Sequence, residues 1–458
     1  MKNIIYLLIL VPFLTFSQTN KTSFGGEFKF NPDKIPCITE EAKAKIDIQI
    51  KANLTKLEKQ GKIKKNSEAS LTRPSFIWPV KKADNSSFND VWAISNYVDH
   101  NSSFPDKLQD YNCGTRTYDT NNGYNHKGVD IYSWPFSWYQ FQNNLSEVVA
   151  AAPGTIIFKR DGQFDMNCDF NSDRWNAIYV RHSDNSVAWY GHLKNGSLNS
   201  KNVGDTVSEG EYLGVIGSSG NSTGPHLHFE VYDSNSNLID PFSGTCSSNV
   251  SWWKEQPSYY SSNVNAALAH NSPPAFNTCP NTETTNITDQ FLPNTFVYLA
   301  GYFKDQVTGT TANFKLSHPN GQVENWSKTF SNTYTSSYWY WRNNNLSNLG
   351  TYTFEIEYLG KKATTTFKVV STLNIENDIL ESFKIISNPV NKYLKITSGN
   401  INPKEYSLHI YNQLGQQVLT RNTFSNNLDV QFLANGLYLV QVKNKSKNSI
   451  QSFKIIKE

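Results

Sequence analysis

Short runs of alternating apolar and polar residues, each closed by Gly, Asn or Asp, recur from Phe76 almost to the C-terminus. Alternation with period two puts every second side chain on one face, as in a half-buried strand, and the turn residues end each strand after a few positions. Between 76 and 246 the runs include Glu147–Ala151, Gly154–Lys159, Ala177–His182 and Val187–Tyr190, with Ser183-Asp184-Asn185-Ser186 as a hairpin turn. A second group holds Val297–Phe303, Asn313–Ser317, Tyr338–Trp341, Thr351–Tyr358 and Ala363–Val370, enough for a small sandwich. A third holds Phe383–Ile386, Tyr393–Thr397, Tyr406–Tyr411, Leu428–Val430, Gly436–Lys443 and Ser449–Ile456. The chain is therefore expected to be mainly β.

Two stretches depart from the pattern. Thr39-Glu40-Glu41 opens a helix that runs to about Gln60, with Ile46, Ile48, Ile50, Leu54 and Leu57 near helical spacing and Gly61 as the stop. A shorter helix is expected over 262–270, and residues 19–38 read as irregular. Aromatic residues make up 14% of the chain, which excludes general disorder. The net charge is only +3 and no basic tract occurs, which excludes a nucleic-acid binder.

The N-terminus speaks to compartment. Lys2 precedes an apolar run, Ile4 to Phe16, and Thr15-Phe16-Ser17 before Gln18 has the small-x-small form of a signal-peptide cleavage site. The run is too short to span a bilayer, which takes about 20 apolar residues. An exported chain with no membrane span is expected. Its five cysteines are then disulfide candidates. Order along the chain favours Cys113–Cys168 and Cys246–Cys279, leaving Cys37 odd; none forms a C-x-x-C pair.

The histidines carry the chemistry. His126-Lys127-Gly128-Val129-Asp130 places an imidazole and a carboxylate four apart across a glycine that allows a turn. In His226-Leu227-His228-Phe229-Glu230 the alternation makes a strand, so both imidazoles share a face while Leu227 and Phe229 enter a core. Two polar rings on one strand face are costly to bury without partners. His192 closes the run that begins near Val187, and His182, on the partner run, reads as structural. Two His and one Asp with an open fourth position is the catalytic form of a zinc site, here His126, Asp130 and one of His226 or His228. Such a set keeps zinc a strong Lewis acid, and the other imidazoles can exchange protons with water and substrate.

In order and spacing, Asn125–Asp130, Val148–Ile156, Tyr190–Leu193, Val203–Val207 and Gly217-Ser218-Ser219-Gly220 through Thr223–Glu230 resemble the lysostaphin- and LytM-type peptidoglycan zinc endopeptidases. The resemblance implies an antiparallel sheet crossed by a groove. It also implies one zinc per chain on His126, Asp130 and His228, with His192 and His226 facing the reacting centre. The expected substrate is peptidoglycan or a Gly-rich peptide. The alternative is a non-catalytic wall-binding or regulatory protein of the same fold, whose relatives are expected to lack zinc ligands.

The third β group resembles the C-terminal sorting domain of the type IX secretion system, on Ser387-Asn388-Pro389-Val390, Ile410–Gln416, Leu433–Val440 and Phe453–Lys457. That implies the type IX machinery as a partner and a secreted or cell-surface location. His409, the module's one histidine, reads as a sheet-surface residue. The expected layout is a signal peptide at 1–17 and a helical segment at 18–72, either a pro-segment or a brace. A peptidase domain at 73–246, a linker at 247–273, a sandwich at 274–370 and the sorting domain at 380–458 follow, in a monomer.

Overall fold

A computed structural model describes residues 21–30, 36–63, 72–168, 174–276, 283–372, 383–398, 401–445 and 450–458. The expected signal peptide at 1–17 and Cys279 lie outside them. The described residues are mainly β, with two α-helices. Among them no helix is long and apolar enough to cross a membrane. They fall into two units, divided between Ser371 and Thr372.

In the first unit one antiparallel sheet positions the histidines. Its order is Trp92–Asn96, Val129–Ser133, His226–Tyr232, Val187–Gly191, Ala177–Arg181, Gly154–Arg160 and Thr206–Val207, with Leu238–Ile239 also paired to His226–Tyr232. Alternation gives this sheet two different faces. Ile131, Ile178, Val180, Ala188, Leu227, Phe229 and Val231 point into the main apolar core. The opposite face starts with Asp130 and His228, which are register partners, and continues through Trp189, Tyr179 and Phe158.

The helix Glu40–Lys59 lies on the aromatic half of that second face. Thr39 caps it by accepting from the Ala42 N–H at 3.2 Å. Ile46 and Leu57 are buried against Ile157, Phe158 and Trp189, each such burial stabilising by about 1.5–3 kcal/mol. Asn53 adds a tie by donating Nδ2 to the Ile157 carbonyl at 2.9 Å. Ile48 lies off this stripe and is exposed.

Three sequence expectations change here. Residues 262–270 are not helical: Asn263–His270 is a strand pairing with Val297–Gln306, so the linker read at 247–273 contains part of the sandwich. Both its faces are buried, which removes the alternation that would have marked it. The segment 19–38 contains a strand, Phe24–Glu27, on the edge of the same sheet beside Tyr334–Asn343. Only glycine fits at Gly25, where φ is +119° and a Cβ would stand 2.2 Å from the Tyr338 carbonyl. The disulfide pairing also differs, because Cys113 is bonded to Cys246, 133 residues away, and not to Cys168. Cys168 is itself disulfide-bonded, and Cys37 is a free, buried thiol.

The sandwich closes that four-stranded sheet over a second one, Gln290–Phe291, Lys361–Val369, Gly350–Tyr358, Thr311–Ser317 and Val323–Thr329, around Phe314, Trp326, Trp341 and Phe354. In the aromatic run, Trp341 is sandwich core while Tyr338 and Tyr340 pack on the peptidase core. Polar links fasten the two: Arg116 to Asp305 at 2.8 Å, Lys304 to Asp90 at 2.7 Å, and the Trp134 indole N–H to the Phe303 carbonyl at 3.1 Å. The second unit has its own sheets, one of Gln417–Arg421, Tyr406–Tyr411, Gly436–Asn444 and Ile450–Lys457, and its own core around Leu394, Ile396, Leu408 and Val440.

Candidate metal centre

The polar residues of the second face converge. Asp130 stands opposite His228 across the sheet, and His126 arrives from the turn just before the Val129–Ser133 strand. Gly128 gives that turn its closeness, since a Cβ there would meet the His228 ring at 2.6 Å. His192 follows the Val187–Gly191 strand in a left-handed conformation, φ +61°, which is uncommon for a residue with a side chain. All five predicted residues are therefore brought together, on three adjacent strands and the turns beside them. His182 stays apart, bonded through Nδ1 to the Pro153 carbonyl, and His409 belongs to the other unit.

Hydrogen bonds outside the centre fix which ring nitrogen each histidine presents. His126 donates Nδ1–H to the Tyr97 carbonyl at 2.8 Å, His192 to the Ser219 carbonyl at 2.6 Å and His226 to the Gly224 carbonyl at 2.9 Å. Each leaves Nε2 inward. His228 is the reverse: Nε2–H donates to Glu230 at 3.0 Å and Nδ1 faces Asp130 at 2.8 Å. Asn96 donates to the other oxygen of Asp130 at 3.1 Å. Carboxylate and carbonyl partners of this kind orient imidazoles that bind metals. Glu230 has a sequence signal, as the third polar residue of the alternation His226, His228, Glu230. Asn96 and the three carbonyls have none.

Zinc fits this donor set. The Nε2 atoms of His126 and His192 are fully buried without a hydrogen-bond partner, an arrangement that is costly unless something else meets them. His126 Nε2 lies 3.0 Å from Asp130 Oδ2, so imidazole and carboxylate crowd around one point. Among the described residues, His126, Asp130 and His228, with Cys37, form a group that could hold a metal ion, with donors of the types zinc takes.

The electrostatics divide the histidines. Burial would lower His126, but Asp130 beside it wins and raises its pKa to about 9. Burial would raise Asp130, yet His126, His228 and His226 hold it well below the carboxylate range. Burial and the neighbouring His226 push His192 down. His226 goes up, because Cys37 and Asp130 outweigh its burial.

Cys37 is the residue that sequence reasoning missed. Its Sγ lies within 4.8 Å of the ligand atoms of His126, Asp130 and His228, and equally within 4.8 Å of those of His192 and His226. It is 6% exposed, and His126, His192 and His228 are 0% exposed, so the centre is covered.

Two known families match the chain. Residues 124–241 match peptidase family M23, and residues 384–458 match the secretion system C-terminal sorting domain. The chain carries both modules. Over 80 residues it is 32% identical to the peptidoglycan DD-endopeptidase ShyC of Vibrio cholerae, covering 18% of each chain. Over 85 residues it is 39% identical to the DD-carboxypeptidase/endopeptidase Mpg of Neisseria meningitidis, covering 18% of this chain and 16% of that one. It thus spans under a fifth of the length of these relatives. A crystal structure of a zinc-containing peptidase from Vibrio cholerae is similar at 22% identity and a TM-score of 0.24, covering 37% of this chain and 40% of that one.

Proposed function

We propose that residues 73–246 form a zinc-dependent endopeptidase that hydrolyses peptide bonds in peptidoglycan cross-links, with one zinc on His126, Asp130 and His228. The observation that carries this reading is the set of four inward imidazole nitrogens, each fixed by an outer hydrogen bond, around one carboxylate. The match to peptidase family M23 and the names of the curated relatives support the reaction and substrate class. A non-catalytic relative would need none of this arrangement.

Zinc held there supplies a Lewis acid that polarises a carbonyl and makes water easier to deprotonate. The chain's own residues do the rest. His192 is kept neutral by burial, so its Nε2 can take a proton from the attacking water. His226, held through Nδ1 by the Gly224 carbonyl, presents Nε2 inward and can donate from it to the oxygen on which charge develops. Glu230 holds the His228 ring in the orientation that presents Nδ1. The sorting-domain match supports export by the type IX machinery and a secreted or surface location.

The test is digestion of purified peptidoglycan by the zinc-loaded protein and by its Cys37→Ser variant, with fragments analysed by mass. Cut peptide cross-links on intact glycan strands are expected from the Cys37→Ser variant at least, and none when Asp130→Ala is added to it. Walls left uncut by both zinc-loaded proteins would rule out this activity.

A further inference from the structure

A catalytic zinc site keeps one position free for water and substrate. That position has to lie between the three candidate ligands on one side and His192 with His226 on the other. The atom that stands there is Cys37 Sγ, the one donor common to both groupings. The orphaned Nε2 atoms of His126 and His192 border the same volume. The thiol is in no disulfide.

The segment around Cys37 is built to stay. On its N-terminal side, Phe24–Glu27 is a strand of the sandwich sheet. Phe30 then stacks on Tyr132 with centroids 4.3 Å apart and meets the edge of the His226 ring at 5.9 Å. Asn221, in the loop that leads to His226, donates to the Pro36 carbonyl at 2.5 Å, and Tyr118 Oη is 3.3 Å from Cys37 Sγ. Two residues beyond Cys37, Thr39 caps the helix that lies on the sheet. Strand, ring stack and helix fix the thiol over the centre, and no polymer can reach His192 or His226 beneath it.

We propose that Cys37 is a fourth protein ligand to the zinc and that the arm from Phe24 to the helix holds the peptidase latent through that bond. The proposal rests on the zinc reading above. A thiolate beside two imidazoles and a carboxylate gives the closed four-coordinate set of structural zinc sites, with no place for water. It also lowers the site's net charge from +1 to zero, which weakens the Lewis acid. Activation is a ligand exchange: the arm withdraws, the thiolate leaves and takes a proton from solvent, a water enters the vacated position, and His126, Asp130 and His228 remain on the sheet.

The experiment loads the full chain with Co2+ in place of zinc. The expected result is a thiolate-to-cobalt charge-transfer band in the near ultraviolet. That band should be absent from Cys37→Ser, with one cobalt bound in each. Cys37 should react with a thiol reagent about 10-fold or more slowly with metal bound than after chelation. Zinc-loaded Cys37→Ser should cut walls about 10-fold faster than the full chain, as expected when a blocking ligand goes. Cobalt bound without the band overturns the Cys37 assignment and leaves the three-residue metal site standing. No bound cobalt overturns both. The band with no turnover in either protein supports the ligand and counts against the peptidase reading. The band with equal turnover in both overturns latency. The wild-type spectrum decides the ligand question even if the variant fails to fold.

Discussion

The two faces of the strand His226–Tyr232 share a backbone and differ in everything else. Leu227, Phe229 and Val231 enter a core that excludes water, while His226, His228 and Glu230 line a polar centre covered by the N-terminal arm. Both faces are buried, so burial does not separate packing from chemistry. What separates them is hydrogen bonding: every polar group on the second face has a directed partner or waits for one. Residues on the first face should govern stability and leave metal binding alone. Residues on the second should do the opposite.

The largest effect should come from the ligands. Asp130→Ala or His228→Ala should abolish both bound zinc and turnover, read by metal analysis and wall digestion, while cooperative unfolding persists. A variant that keeps one zinc would break the division between faces. Next, His192→Ala and His226→Ala should each keep zinc and lose about 10²–10⁴-fold in turnover, the scale of a general acid or base. They are best made in the Cys37→Ser background, where turnover is open to measurement. On the other face, Phe229→Ala should cost about 3–5 kcal/mol in denaturant unfolding, as emptied aromatic sites do, and leave zinc stoichiometry unchanged. Smaller still, Glu230→Gln should weaken zinc about 10–100-fold by removing the carboxylate behind His228, measured by competition with a chelator.

The junction with the sandwich offers a contrast in pH. Burial lowers His270 to about 4, with Tyr302 Oη–H donating to its Nε2 at 2.9 Å. Burial raises Glu283 to about 7, where it accepts from the Tyr139 N–H at 3.0 Å. Between about pH 4 and 6.5 the unfolded chain protonates His270 and the folded chain does not, so this group makes stability rise with pH. Between about pH 4.5 and 7 the folded chain keeps the Glu283 proton and the unfolded chain loses it, so this group makes stability fall. The two slopes oppose each other in the overlap. Glu283→Gln should therefore unmask stability that climbs by about 2–3 kcal/mol from pH 4 to 6.5, seen by urea denaturation at each pH. An unchanged profile would show that these groups are not held as described.

Much of this was open to reading in the sequence because it is local. The cap at Thr39 and the stripe Ile46, Ile50, Leu54, Leu57 announce the helix, and the alternation around His226 and His228 announces a polar strand face. The failures share a cause: they depend on contacts between distant segments. Asn263–His270 carries Ala and Leu, good helix formers, and is a strand because it is packed between two layers. Neighbour order suggested Cys113–Cys168, yet the bond reaches to Cys246. Cys37 lies 89 positions before His126 in a stretch without periodicity, and only the folded path of the arm brings it to the centre.

The Cys113–Cys246 bond turns the intervening chain into a covalent ring. His126, Asp130, His192, His226 and His228 are all links of that ring; Cys37 is not. A single nick inside it leaves both new ends tethered, so the apparatus for chemistry survives damage that would separate the pieces of an open chain. A nick between Cys37 and Cys113 severs no part of the ring and leaves the segment that bears Cys37 held by non-covalent contacts alone. In surroundings rich in proteases, a cut inside the ring is borne by the residues that do the chemistry, and a cut ahead of Cys113 loosens only what lies over them.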